Sequence, residues 1–170
     1  YIELPKKLTV KENLIVYGKL YGVKSIIIRI DYLSDKLRLN EFLYKKTGEL
    51  SSGQKNRVSL AKALINDPKI LFLDEPTASL DFARTNQFLE LISELRHKLQ
   101  LTILISTHDI NSIMRYADYV LVLKDGKNLH SGELGTILNK SFLSRLYDTK
   151  LETVTNKEGN PIFYAKRSSK

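Results

Sequence analysis

The pattern of hydrophobic and polar residues along the chain changes its period near Gly48. Before that point, apolar residues recur at the spacing of a helix with one buried face. Thr9 and Glu12 have the spacing of a capping box, which begins many helices. We predict helices over residues 10–21 and 26–37, the second in spite of β-branched residues that would also suit a strand. The first part of the chain is therefore expected to be a small helical unit.

After Gly48, short and continuous apolar runs alternate with helical patterns. Such runs are typical of parallel strands that are buried on both faces. The order strand, helix, strand, helix predicts a layered α/β fold with a parallel sheet. Asp125 and Gly126, between two strand-like segments, indicate a hairpin. The predicted helices are 54–65, 82–98, 110–116 and 134–147, and the predicted strands are 69–73, 101–106, 119–124, 127–130, 151–155 and 162–165.

Composition narrows the class of protein. The chain has 170 residues, 42% hydrophobic and 27% charged, which favours one folded domain over a disordered chain. It has no cysteine, which excludes disulfides and thiolate metal sites. The net charge of +8 suits nucleic acid or an anionic membrane, but the lysines are scattered and most are expected to be solvated surface. Because residue 1 is tyrosine and the one methionine is Met114, we expect that sequence precedes this chain.

Asp74 and Glu75 directly follow one of the predicted buried strands. The carboxyl end of a parallel strand lies at the sheet edge where open α/β folds bind ligands. Asp74 is therefore a candidate to hold magnesium, and Glu75 a candidate to orient water in phosphoryl transfer. The alternative is a polar turn after a core strand, and these two residues alone leave both interpretations open.

A second candidate lies at the start of the helix that leads into that strand. Ser51 and Gln54 have capping-box spacing, and Gly53 lies between them. Unpaired backbone N–H groups and the helix dipole make such an end suitable for phosphate. Ordinary helix initiation uses the same physics, so both interpretations can hold.

Taken together, these segments resemble the ATPases of ABC transporters. The likeness is close over residues 50–109, where the motifs follow one another in family order and spacing, and looser over nearly the whole chain. The motifs are LSSGQKNR (50–57), AKAL (61–64), DP (67–68), LFLDEPT (71–77), SLD (79–81) and STHD (106–109).

The resemblance assigns roles at three positions of the catalytic site. Asp74 is similar to the Walker B aspartate that supports Mg²⁺, and Glu75 to the catalytic glutamate that polarises water. His108 is similar to the switch histidine that contacts the γ-phosphate of ATP, although by itself it would more often be an ordinary histidine at a loop edge. The implied activity is ATP hydrolysis coupled to transport.

Further roles concern a second ATP-binding domain. Ser51, Ser52, Gly53 and Gln54 resemble the signature loop, which contacts ATP held by the opposite subunit. Asp81 resembles the D-loop aspartate at the dimer interface. Ser52 stands where the family usually has a second glycine, which we expect to be tolerated, with weaker contact to nucleotide.

The Walker A loop, G-x-x-x-x-G-K-[ST], is absent from these 170 residues. Gly18-Lys19 and Gly126-Lys127 are followed by leucine and asparagine instead of serine or threonine. Since the backbone amides and lysine of that loop hold the phosphates, we expect this chain alone to bind ATP weakly or not at all, and activity to belong to an intact parent. The missing neighbour strand should leave an apolar sheet edge unpaired.

The implied architecture is a P-loop NTPase-like core, a parallel sheet flanked by helices, present in part. We expect an α-helical subdomain over 1–49, the ATPase core over 50–148, and a closing hairpin and tail over 149–170. The implied partners are transmembrane permease subunits and a second ATP-binding domain, with no nucleic acid, at the cytoplasmic face of the membrane.

The cargo is weakly specified. Residues 8–21 look like the ATPases of exporters, whereas residues 142–154 resemble those of metal-chelate importers, which we slightly favour.

Two functions of other classes also remain open. A chromosome-maintenance ATPase would suit the charge, but its long coiled-coil insert before the signature is missing. A non-catalytic interaction module that kept the fold is the other alternative.

Overall fold

The computed structural model describes residues 4–157 and 159–166. The chain divides into two compact units, one that ends at Thr107 and one that begins at His108. Both predicted domain boundaries, after residues 49 and 148, fall inside a unit, so the three-region division remains a prediction. No helix in the described ranges is long and apolar enough to cross a membrane.

In its described residues, from residue 4 onwards, the first unit has four helices and two strands. Two short 3₁₀ turns, Asn40–Phe42 and Thr47–Glu49, connect the second helix to the third. The elements are α1 (Val10–Leu20), α2 (Ile26–Leu37), α3 (Ser52–Leu64), β1 (Ile70–Asp74), α4 (Phe82–Leu99) and β2 (Thr102–Ser106).

The helices before Gly48 form as the sequence predicts. At the start of α1 the Thr9 hydroxyl accepts the Glu12 N–H at 3.2 Å, and the Glu12 carboxylate accepts the Thr9 N–H at 2.7 Å. This reciprocal pair is the predicted capping box. In α2 the side chains of Ile30 and Leu33 are fully buried, whereas Ile28 is 73% exposed. One buried face at helical spacing therefore outweighs the β-branched content of this segment.

β1 and β2 form a parallel pair, in which Ile70 lies opposite Thr102 and Asp74 opposite Ser106. Within the described part of the chain, this sheet has two strands. One face packs on the core of the unit, where Leu71 is 4% exposed. On the other face Phe72 is 70% exposed. Among the described residues each strand therefore has one unpaired edge, as the sequence predicts, and Phe72 exposes an apolar side chain on the other face.

The part of the second unit that the structure describes contains two antiparallel hairpins and three short helices. The hairpins pair β3 with β4 and β5 with β6. Its own small core contains Val122, Leu138, Leu143, Leu151 and Phe163. The elements are α5 (Ile110–Tyr116), β3 (Tyr119–Lys124), β4 (Lys127–Glu133), α6 (Leu134–Ile137), α7 (Lys140–Leu146), β5 (Leu151–Thr155) and β6 (Pro161–Ala165).

The single helix predicted over 134–147 is wrong, because the structure has two. Leu138 leaves the helical conformation, with ψ of 88°, and buries its side chain in the core of the unit. Asn139 then starts α7, since its side-chain oxygen accepts the Phe142 N–H at 3.0 Å. Asparagine favours this position over a helix interior. The tail beyond residue 166 lies outside the described residues.

Candidate functional site

The two candidate acids lie at the carboxyl end of the parallel pair, where Ser106 contacts both. The Ser106 hydroxyl donates to Asp74 Oδ1 at 2.5 Å. The same oxygen accepts the Glu75 N–H at 2.9 Å, and the Ser106 carbonyl oxygen lies 3.2 Å from that nitrogen. Parallel register makes this possible, because Asp74 and Ser106 are Cα partners. One side chain thus fixes a carboxylate and the backbone of the next residue.

Glu75 has an unusual backbone conformation. Its φ is 42°, in the left-handed region that residues other than glycine and asparagine rarely adopt. The hydrogen bonds that its N–H donates to Ser106 hold it there on one side, and on the other its carbonyl oxygen accepts the Ala78 N–H at 3.2 Å. Such conformations persist where the surroundings over-determine them, and they cluster at functional sites.

The start of α3 presents a set of donors. Ser51 Oγ accepts the Gln54 N–H at 3.3 Å, and Gln54 Oε1 accepts the Ser51 N–H at 3.0 Å. This capping box uses both side-chain oxygens as acceptors. It leaves the hydroxyl hydrogen of Ser51 and the side-chain NH₂ of Gln54 without a partner among the described residues. The N–H groups of Ser52 and Gly53, the first of the helix, have none there either. All of these groups are hydrogen-bond donors, which suits an anion.

Gly53 is not required by the packing of this chain. A Cβ at this position would lie 3.7 Å from Arg84 Cδ, which is ordinary van der Waals contact. Its φ is not positive either. The fold would therefore accept alanine here. Ser52 is the first residue of α3, where a side chain is equally compatible with the backbone.

A cavity of about 160 Å³ adjoins this helix start. Ser51, Gly53 and Gln54 line it together with two guanidinium-bearing residues, Arg57 and Arg84. The sequence predicted the first three and gave the arginines no role. Helical spacing would have revealed Arg57, because it lies three and four residues after Gln54 and Gly53. Arg84 comes from another helix, so no local pattern marks it.

Asp81 is the N-cap of α4. Its Oδ1 accepts the Arg84 N–H at 2.8 Å, and its Oδ2 lies 3.4 Å from Arg84 Nε. These contacts are those of an ordinary capped helix. They also connect the predicted D-loop residue to an arginine that lines the cavity. Its role between subunits remains a prediction.

His108 belongs to the second unit, whereas the acids and the signature residues belong to the first. It is exposed and precedes Asp109, whose Oδ1 accepts the Ser112 N–H at 3.2 Å near the start of α5. Asp74 and Glu75 lie together at the end of β1, and Ser51, Ser52, Gly53 and Gln54 lie together at the start of α3, because each set is consecutive in the sequence. The predicted contact of His108 with phosphate remains a prediction.

The chemistry of Asp74 suits magnesium that arrives with phosphate. No cluster of three or more His, Asp or Glu side chains able to hold a metal occurs in the described ranges. Mg²⁺ in phosphoryl-transfer sites usually takes one or two carboxylates, with phosphate oxygens and water as the other ligands. Ser106 bonds Oδ1 of Asp74, and Oδ2 accepts no hydrogen bond from the described residues. One oriented carboxylate therefore fits a shared metal site and not a site made by protein alone.

Comparison with known proteins decides the family. The family model described as ABC transporter matches residues 2–78. The ABC transporter ATP-binding protein NatA of Bacillus subtilis is 35% identical over 150 residues, which are 82% of this chain and 61% of that protein. The chain belongs to the ABC transporter ATP-binding family. It spans about half the length of the curated relatives it matches.

Solved structures of ABC proteins share the fold. CbiO1 of Clostridium perfringens has a TM-score of 0.71 at 32% identity, over 84% of this chain and 57% of that one. An ABC transporter in an inward-facing conformation has a TM-score of 0.87 over 98% of this chain and 70% of that chain. Its identity is 22%, so that likeness concerns the fold alone. The predicted fold, a partial ABC ATPase core with an N-terminal helical unit, is confirmed.

Proposed function

We propose that this chain supplies part of the ATP-hydrolysing site of an ABC transporter subunit. The observation that carries the proposal is the Ser106 hydroxyl, which joins Asp74 and Glu75 at the carboxyl end of two parallel strands. The family binds ATP, and this edge is where open α/β sheets bind ligands. The phosphate loop that ATP also requires is not among these residues.

In this proposal the two acids have different tasks. Asp74, oriented by Ser106, would hold Mg²⁺, which neutralises charge on the phosphates when bound. Glu75 would orient the attacking water and accept its proton at a carboxylate oxygen. The left-handed backbone conformation of Glu75 supports this assignment, because such conformations cluster at functional sites. His108 would contact the γ-phosphate.

The start of α3 would contact ATP held by a second ATP-binding domain. The unpaired donors of Ser51 to Gln54 and the charges of Arg57 and Arg84 suit phosphate oxygens. The tolerance of a Cβ at Gly53 supports the same role, since the packing of this chain does not require glycine there and close approach by a ligand would. Asp81 would lie at the interface between the two domains.

The partners proposed are that second domain and transmembrane permease subunits, at the cytoplasmic face of a membrane. CbiO1 is described as part of the transporter complex cbiONQ. Exposed apolar side chains on the helical unit, Leu20 and Ile28 at 72% and 73% exposure, support a protein contact there. Other relatives are named for methionine import and zinc uptake. Since these cargoes differ, we propose the ATPase role without a cargo.

The test uses a protein in which this segment is joined to a phosphate loop. Glu75→Gln keeps the size of the side chain but removes the base, so Mg-ATP should still bind while turnover falls by about 100-fold or more. Glu90→Gln, an exposed glutamate on α4, is the matched control and should retain turnover. Normal turnover in Glu75→Gln would remove Glu75 from the catalytic role.

A further inference from the structure

A hydrogen bond joins α3, the helix that starts at the signature loop, to the segment that follows Glu75. Asn56, on the second turn of α3, donates from Nδ2 to the carbonyl oxygen of Pro76 at 2.7 Å. Asn56 is half-buried and Pro76 is buried. The distance is at the short end of the range for such bonds. Loss of such a part-buried hydrogen bond costs free energy, because the carbonyl oxygen is then less well satisfied.

The position of this bond in the turn gives it a specific consequence. Pro76 follows Glu75 directly, and its ring fixes its own φ. On the other side, Ser106 holds the Glu75 N–H, while the Glu75 carbonyl accepts the Ala78 N–H. The left-handed conformation of Glu75 is therefore fixed from the end of β2 and, through Pro76, from α3.

Ser51 is the N-cap of α3, and its capping box lies less than two turns before Asn56. An α-helix moves as a rigid element over so short a distance. A displacement at Ser51 to Gln54 would therefore displace the Pro76 carbonyl, and with it the backbone of Glu75.

We infer that Asn56 is a positioning residue, which couples the helix that begins at Ser51 to the catalytic geometry of Glu75 within one chain. The inference rests on the proposed function. It adds a link between the two ATP sites to which this chain would contribute. Contact of Ser51 to Gln54 with the nucleotide at one site would affect how Glu75 activates water at the other. In this proposal Asn56 acts through the Pro76 carbonyl and the backbone of Glu75, and not by contact with nucleotide or with the attacking water.

The first experiment tests the link in the 170-residue chain, without ATP. Backbone hydrogen exchange is measured at Ala78, whose N–H bonds to Glu75 O. Asn56→Ala and Asn56→Asp should each speed this exchange by about tenfold, because the turn then opens more often. The aspartate variant keeps the volume of the side chain and removes the donor. Asn86→Ala is the matched control, since Asn86 also donates to a backbone carbonyl, that of Phe82, at 2.9 Å. Unchanged exchange in both Asn56 variants would overturn the inference.

The second experiment measures steady-state turnover in a protein that also has a phosphate loop. Asn56→Asp should lower kcat by about tenfold, with KM for ATP changed by about twofold or less, because a misplaced base affects the transition state more than binding. Asn86→Ala should match the wild type. A lower melting temperature with wild-type kcat would show a merely structural role and overturn the inference. If the wild type has no turnover, the proposed function fails, while exchange at Ala78 still decides whether the link exists.

Discussion

Ser106 and Asp74 end adjacent parallel strands, and the serine hydroxyl donates to the aspartate Oδ1 at 2.5 Å. A hydroxyl in this position selects one orientation of the carboxylate. The same hydroxyl accepts the Glu75 N–H. One hydroxyl therefore contacts the carboxylate of Asp74 and the backbone of Glu75, although the sequence marked Ser106 only as part of a motif.

Replacing Ser106 by alanine should weaken the use of magnesium more than the binding of ATP. Hydrogen bonds to charged groups contribute about 1.5–3 kcal/mol, so the Mg²⁺ concentration for half-maximal turnover should rise by about tenfold or more. The measurement is a Mg²⁺ titration of turnover at saturating ATP, in a protein that carries a phosphate loop. Ser141→Ala, at an exposed serine of α7, is the control. An unchanged Mg²⁺ requirement in Ser106→Ala would show that Asp74 does not depend on this hydroxyl.

The 170-residue chain by itself should bind no Mg-ATP at micromolar concentrations. The physical reason is that the amides and lysine of a phosphate loop, which hold most of the triphosphate charge, are not in this sequence. Calorimetric titration of the chain with Mg-ATP checks this, with Glu75→Gln measured in parallel. Binding together with turnover that Glu75→Gln abolishes would contradict the prediction and require a phosphate cradle among the present residues.

The stability of the first unit should fall in acid through the capping box of α1. The backbone N–H of Thr9 and then its hydroxyl hold the pKa of Glu12 below the ordinary value of 4.5. A lowered folded-state pKa contributes stability that is present above 4.5 and is lost as pH falls through the folded value. Glu12→Ala should therefore destabilise the chain at pH 7 and less at pH 3, because part of the contribution is lost below 4.5.

Denaturant unfolding at the two pH values measures this effect. Glu12→Gln is the matched control, since glutamine can complete a capping box but does not titrate. It should reduce the pH dependence and keep most of the stability at pH 7. An equal loss in Glu12→Ala at both pH values would show that ionisation of Glu12 contributes nothing.

Local patterns were enough for most helices and strands and for both capping boxes. Thr9 with Glu12 and Ser51 with Gln54 are each three residues apart, so their contacts follow once a helix forms. The same local pattern misled over residues 134–147. There the helical spacing of apolar residues continued through Leu138. The chain nevertheless leaves the helix at that residue and buries its side chain in the core of the second unit.

The sequence by itself determined the order of elements, the family motifs and the candidate acids at the end of a buried strand, because these depend on neighbours in the chain. Tertiary structure alone decided that Ser106 orients Asp74, across 32 residues of sequence, and that Asn56 holds Pro76, across 20. It also placed Arg84 beside Gly53. The first contact depends on the register of two strands, and the other two depend on how α3 packs against a turn and against another helix. Many sequences with the same hydrophobic pattern would satisfy that packing without making these bonds.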